Sequence, residues 1–140
     1  MPTRTFVLAL TILAGTLCGA AHAQSGLLTR PIKLPPITLS SGAALADAPY
    51  ELESGKQYSL TIQADGTAEL AVQGPEFFRN VWINEIIVND IEIRPLGVDS
   101  LEFDAAGEAE ITFVTIRPGT FTLQIPGTLS DSPRATFNVK

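Results

Sequence analysis

The sequence predicts an all-β fold, a Greek-key β-sandwich of two sheets, and three observations carry the prediction. Apolar side chains recur with a period of two: Tyr58, Leu60 and Ile62 alternate with Ser59, Thr61 and Gln63, which on an extended chain puts one set on each face. Turn residues such as Asp65-Gly66, Asn89-Asp90 and Arg117-Pro118-Gly119 separate these runs. No segment holds the apolar spacing of a helix. The spacing implies about eight or nine short strands.

Residues 1–23 stand apart from this pattern. Arg4 is followed by the apolar run Phe6–Ala14, and Ala21-His22-Ala23 has the small residues of a cleavage site. This is the order of a secretory signal peptide, cleaved after Ala23. The run is too short and too broken by Gly and Thr for a membrane span, so no span is expected after cleavage. Cys18 follows Leu17, where a lipid-anchor site wants a small residue. The expected location is periplasmic or secreted.

Residues 24–36 (QSGLLTRPIKLPP) read as a flexible lead-in, and residues 37–140 as one sandwich domain. Within the domain, Leu70 and Val72 follow Asp65-Gly66 with the same alternation, which predicts a hairpin with the 58–62 run. Ile86–Val88 and Ile91–Ile93 flank Asn89-Asp90, a second hairpin. Short strands are expected at 101–104, 110–116, 120–125 and 135–140.

Composition excludes much chemistry. The chain holds one Cys, one His and one Met, namely Cys18, His22 and Met1. Cleavage removes all three. A mature chain without them has no thiolate nucleophile, no imidazole base, and no soft-ligand set for zinc, copper or haem. The acidic balance, 9 Lys+Arg against 15 Asp+Glu, argues against nucleic acid, whose phosphates need clustered cations. Ser54-Gly55-Lys56 lacks the glycine frame of a phosphate loop. Neither enzymatic activity nor a bound cofactor is expected.

Three segments in order resemble the cupredoxin superfamily, especially its small periplasmic members. They are Tyr50–Ile62 (YELESGKQYSLTI), Ala68–Val72 (AELAV), and Arg117–Gly127 (RPGTFTLQIPG) running on to Ala135–Val139. The resemblance implies a cupredoxin-like sandwich with a type 1 copper site of His, Cys and Met ligands. The ligand positions are degenerate in this sequence. Ala68 stands for the first His, Ile125 for the Cys, Thr128 for the second His and Pro133 for the Met. The fold is therefore expected without the copper centre.

Two features remain as candidates for function. Phe77, Phe78, Arg79 and Trp82 form an aromatic knot. It reads either as core or as a patch that docks a partner protein, because Trp, Phe and Arg concentrate at interface centres. On a strand, adjacent Phe residues face opposite ways, which would leave one ring partly exposed. The other feature is acidic. Glu51, Glu53, Glu69, Glu76, Glu108 and Glu110 read as a solvated surface, with 51/53 and 108/110 as same-face pairs that could bind a hard cation. The expectation is an exported cupredoxin-like accessory domain that docks a protein; the alternative is a periplasmic member of that family that binds copper or another cation through oxygen ligands.

Overall fold

Alternating side chains generate most of the elements. In order they are β1 (Ile32–Lys33), β2 (Ile37–Leu39), β3 (Tyr50–Leu52), β4 (Gln57–Ala64), β5 (Leu70–Gln73), a short helix α1 (Pro75–Arg79), β6 (Val81–Val88), β7 (Ile91–Ile93), β8 (Ser100–Phe103), β9 (Gly107–Thr115), β10 (Gly119–Gln124) and β11 (Arg134–Val139). The structure is a computed structural model that describes residues 30–127 and 134–140. None of its helices is long and apolar enough to cross a membrane.

The strands form two mixed sheets. One runs β1-β4-β9-β6-β7, with β2 also paired to β4, and the other runs β3-β11-β10-β5-β8. β1 and β2 run parallel to β4, and β3 parallel to β11; the remaining pairs are antiparallel. The described residues thus hold more strands than the eight or nine expected. The additional ones, β1 to β3, have two or three residues each, too few for alternation to register. β1 also corrects the lead-in: residues 30–36 are tied to the sheet, with Ile32 beside Tyr58 and the Leu34 N–H donating to the Ser59 carbonyl.

The hairpin expected at Asp65-Gly66 does not form. The turn is there, with Asp65 Oδ1 accepting from the Thr67 N–H and hydroxyl at 2.9 and 2.7 Å. However, β4 and β5 lie in different sheets, so the turn carries the chain across the sandwich. The same alternation serves a strand that pairs with its neighbour or one that packs over it. Asn89-Asp90 does close a hairpin, between β6 and β7, and both residues take positive φ, 48° and 64°, as a two-residue type I′ turn requires.

The core lies between the sheets. Leu60, Ile62, Ile111 and Phe113 from one sheet meet Val72, Leu123, Ala135 and Phe137 from the other, all buried. Ser59, Thr61 and Thr112, on the outer face, are buried too. Their strands are flanked on both sides, and side chains this short are covered by their neighbours. Among the described residues no buried side-chain polar atom lacks a partner.

Candidate functional site

The aromatic knot resolves into two parts at α1. Pro75 occupies the first turn of this helix, where its missing N–H costs no hydrogen bond. Gly74 precedes it because space is short: a Cβ there would strike the Leu123 side chain and the Thr122 carbonyl. The helix lets consecutive residues share an inward arc, which a strand forbids. Phe77 is fully buried and Phe78 is 7% exposed. The expectation of an exposed Phe ring is therefore corrected: both Phe side chains pack into the core.

Phe77 is the hub of the core. Its ring centroid lies 4.5 Å from Phe137, 5.3 Å from Phe113 and 5.5 Å from Phe78, the last two edge to face. Tyr50 stacks on Phe137 at 4.7 Å, and Tyr58 lies 5.9 Å from Phe113. The aromatics thus bridge the two sheets.

Trp82 remains outside, 46% exposed on the outer face of β6. It pairs with Val114. The ladder continues one step further, through the Ile116 N–H to the Asn80 carbonyl at 3.0 Å, so alternation puts Ile116 on the face of Trp82 and Val114. Ile116 is also exposed. On the other flank, Pro95–Val98 forms a cleft of about 160 Å³ with Phe78 and Trp82, and Leu96 in its wall is fully exposed. Trp82, Val114, Ile116 and Leu96 make an apolar surface at one end of the sheet. Arg79 lies nearby in sequence and is paired with Glu76 at 3.6 Å. Sequence patterning could not identify Ile116 or Leu96 as neighbours of Trp82, because the β6–β9 register brings in the first and the segment after β7 folds the second back beside it.

The acidic residues sort by strand register. Glu51 on β3 accepts from Asn138 at 2.7 Å and pairs with Lys140 at 2.8 Å. These bonds hold its carboxyl below the usual range, and the Lys140 ammonium is raised in turn. Glu53 pairs with Lys56 instead, so the 51/53 pair does not act together. Glu108 accepts from Gln63. A different cluster emerges: the carboxylates of Glu69, Glu102 and Asp104 can all lie within 4.8 Å of one another, and all three are exposed. The β5–β8 pairing, Leu70 with Phe103, brings Glu69 opposite Asp104. The sequence alone could not show it.

A groove of about 520 Å³ lies at the opposite edge, between residues 34–38 and 44–51. Its walls are mostly Leu, Ala and Pro. The Tyr50 hydroxyl closes one side by donating to the Pro35 carbonyl at 3.1 Å. Burial, with the nearby Asp47 charge, raises the phenol.

The positions expected to correspond to copper ligands are accounted for as follows. Ala68 lies in the bend before β5 and Ile125 is buried just after β10; Thr128 and Pro133 lie outside the described residues. A type 1 centre does not fit these residues. Such a site needs imidazole, thiolate and thioether donors, and the chain's one Cys, one His and one Met all fall within residues 1–22.

Two face-packed mixed sheets in this strand order define a cupredoxin-like β-sandwich. No protein-family model and no curated protein matches the sequence. Solved structures are similar in fold. A multicopper oxidase from Campylobacter jejuni, described as a metallo-oxidase, aligns with 80% of this chain and 31% of its own at 8% identity, with a TM-score of 0.53. A second multicopper oxidase aligns over 66% and 32%, at 8% identity and a TM-score of 0.50. A blue copper oxidase from Nitrosomonas europaea covers 65% and 30%, at 13% identity and a TM-score of 0.49. This chain spans about a third of the length of each. At these identities the likeness concerns the fold alone.

Proposed function

We propose that this is an exported accessory domain that docks a partner protein through the Trp82 surface and carries no type 1 copper centre. One observation supports it above the others: a Trp stands half exposed on a well-packed sheet, beside Leu96 and Ile116. Large apolar side chains gathered on one surface favour association, and Trp is the residue most enriched at interface hot spots.

The test is cross-linking in a native envelope extract, comparing wild type with Trp82→Ala and Leu96→Ser. A cross-linked partner that is lost in both variants, with far-UV circular dichroism unchanged, supports the reading. Equal cross-linking in all three overturns it. Mass spectrometry of the exported protein should find an N-terminus at Gln24, and metal analysis should find no stoichiometric copper.

A second reading, binding of a hard cation by oxygen ligands, is favoured by the Glu69, Glu102 and Asp104 cluster. Titration with calcium, a lanthanide and copper(II) discriminates. Absence of saturable binding below about a millimolar removes it, since extracellular calcium modules bind at about that strength.

A further inference from the structure

We infer that β7 is a self-association edge, through which two copies of this chain join their sheets antiparallel about a two-fold axis. β7 ends its sheet. Ile91 is 63% exposed, Ile93 45%, and Leu96 just beyond is fully exposed. An open edge strand with apolar side chains is a template for another strand.

The hairpin determines which main-chain groups are offered. The two-residue turn makes Val88–Ile91 the hydrogen-bonded pair that closes it, and such pairs alternate along the ladder. Ile91 and Ile93 therefore direct their N–H and C=O groups to β6. Glu92 and Arg94 direct theirs to the open side.

Charge then selects both partner and register. In an antiparallel pairing centred on Ile93, Glu92 of each copy lies opposite Arg94 of the other, and these are the residues whose main-chain groups face outward. Ile93 meets Ile93 of the second copy. Pro95 falls opposite Ile91, where no outward N–H is needed. Centring on Glu92 would set carboxylate against carboxylate, and centring on Arg94 would oppose two guanidinium groups. Arg94 already contacts Glu92 and Glu85 on its own chain, at 3.3 and 3.2 Å, so a third carboxylate, from the second copy, extends an existing network. β8, the corresponding edge of the other sheet, carries Glu102 between Asp99 and Asp104. Self-pairing there sets like charges together. A second copy is thus the occupant that the β7 edge fits by its own sequence. Such isologous pairing is the commonest form of assembly.

Sedimentation equilibrium on protein expressed from the full sequence, with whatever N-terminus processing leaves, tests this. The expected result is a dimer forming in the roughly micromolar to millimolar range, as suits a small interface. Glu92→Arg and Arg94→Glu should each weaken self-association by about tenfold or more, because two cross-strand pairs turn repulsive. An equimolar mixture of the two variants should dimerise again, since each then supplies the charge that the other lacks. Ile93→Lys, at a half-exposed site, should also abolish the dimer while keeping the circular dichroism of the wild type. Wild type that stays monomeric to about a millimolar overturns the proposal. So does a dimer that survives all three substitutions. Trp82→Ala should leave self-association unchanged, so the docking proposal and this one fail separately.

Discussion

At the scale of single residues, burial separates what the aromatic knot does for stability from what it offers to a partner. Phe77 touches both sheets and has no exposed surface. Phe77→Ala should cost about 3–5 kcal/mol in chemical denaturation, because the transfer loss is compounded by a cavity between rings that cannot all collapse inward. Trp82→Ala should change stability by less than about 1 kcal/mol, since the half of its ring in water contributes little to the core. Gly74→Ala should destabilise by about 1–3 kcal/mol, because the added methyl meets the Thr122 carbonyl, and backbone moves less readily than a side chain. The Trp, the adjacent Phe residues and the Pro were visible in the sequence. Which ring faces water was not, because that depends on a helix of five residues, too short for periodicity to reveal. A Pro one residue after a Gly was the available signal that a strand ends there.

At the scale of elements, turn chemistry was legible and pairing only partly so. Asn89-Asp90 forms the expected hairpin because both residues tolerate the left-handed region that the turn demands. Asn89→Val should therefore cost about 1–2 kcal/mol, measurable as a lower midpoint of thermal or denaturant unfolding. Asp65-Gly66 is just as good a turn, yet it links strands of different sheets. Its geometry is settled by what it packs against: a Cβ on Gly66 would lie 2.8 Å from the Ala106 main-chain nitrogen in the turn before β9. Local sequence specifies that the chain reverses. Contacts distant in sequence specify where it goes next. The Glu69, Glu102 and Asp104 cluster and the placing of Ile116 on the face of Trp82 share this origin, since each is assembled by strand register; Leu96 joins Trp82 from the segment after β7.

At the scale of the whole molecule, the acid response follows from how Glu51 ties the edge strand β3 to β11. Its carboxyl titrates below the ordinary value because Lys140 and Asn138 bond the charged form. Its contribution to stability is therefore complete above the unfolded-state value and is lost as pH falls through the lowered folded value. Denaturant midpoints measured from pH 7 down to 3 should fall more steeply in wild type than in Glu51→Gln, and raised salt should narrow the difference, because the pair is exposed. The sequence by itself determined the all-β class, the absence of the strand alternation from residues 1–23, and the confinement of Cys, His and Met to that stretch. Those conclusions rest on local alternation and on counts, which need no tertiary information. Only the tertiary structure decided which turns close hairpins, that both Phe residues belong to the core, and which exposed residues share a surface. The reason is that a β-sandwich is built from pairings between segments far apart in the chain, and a period of two looks the same whichever strand lies alongside.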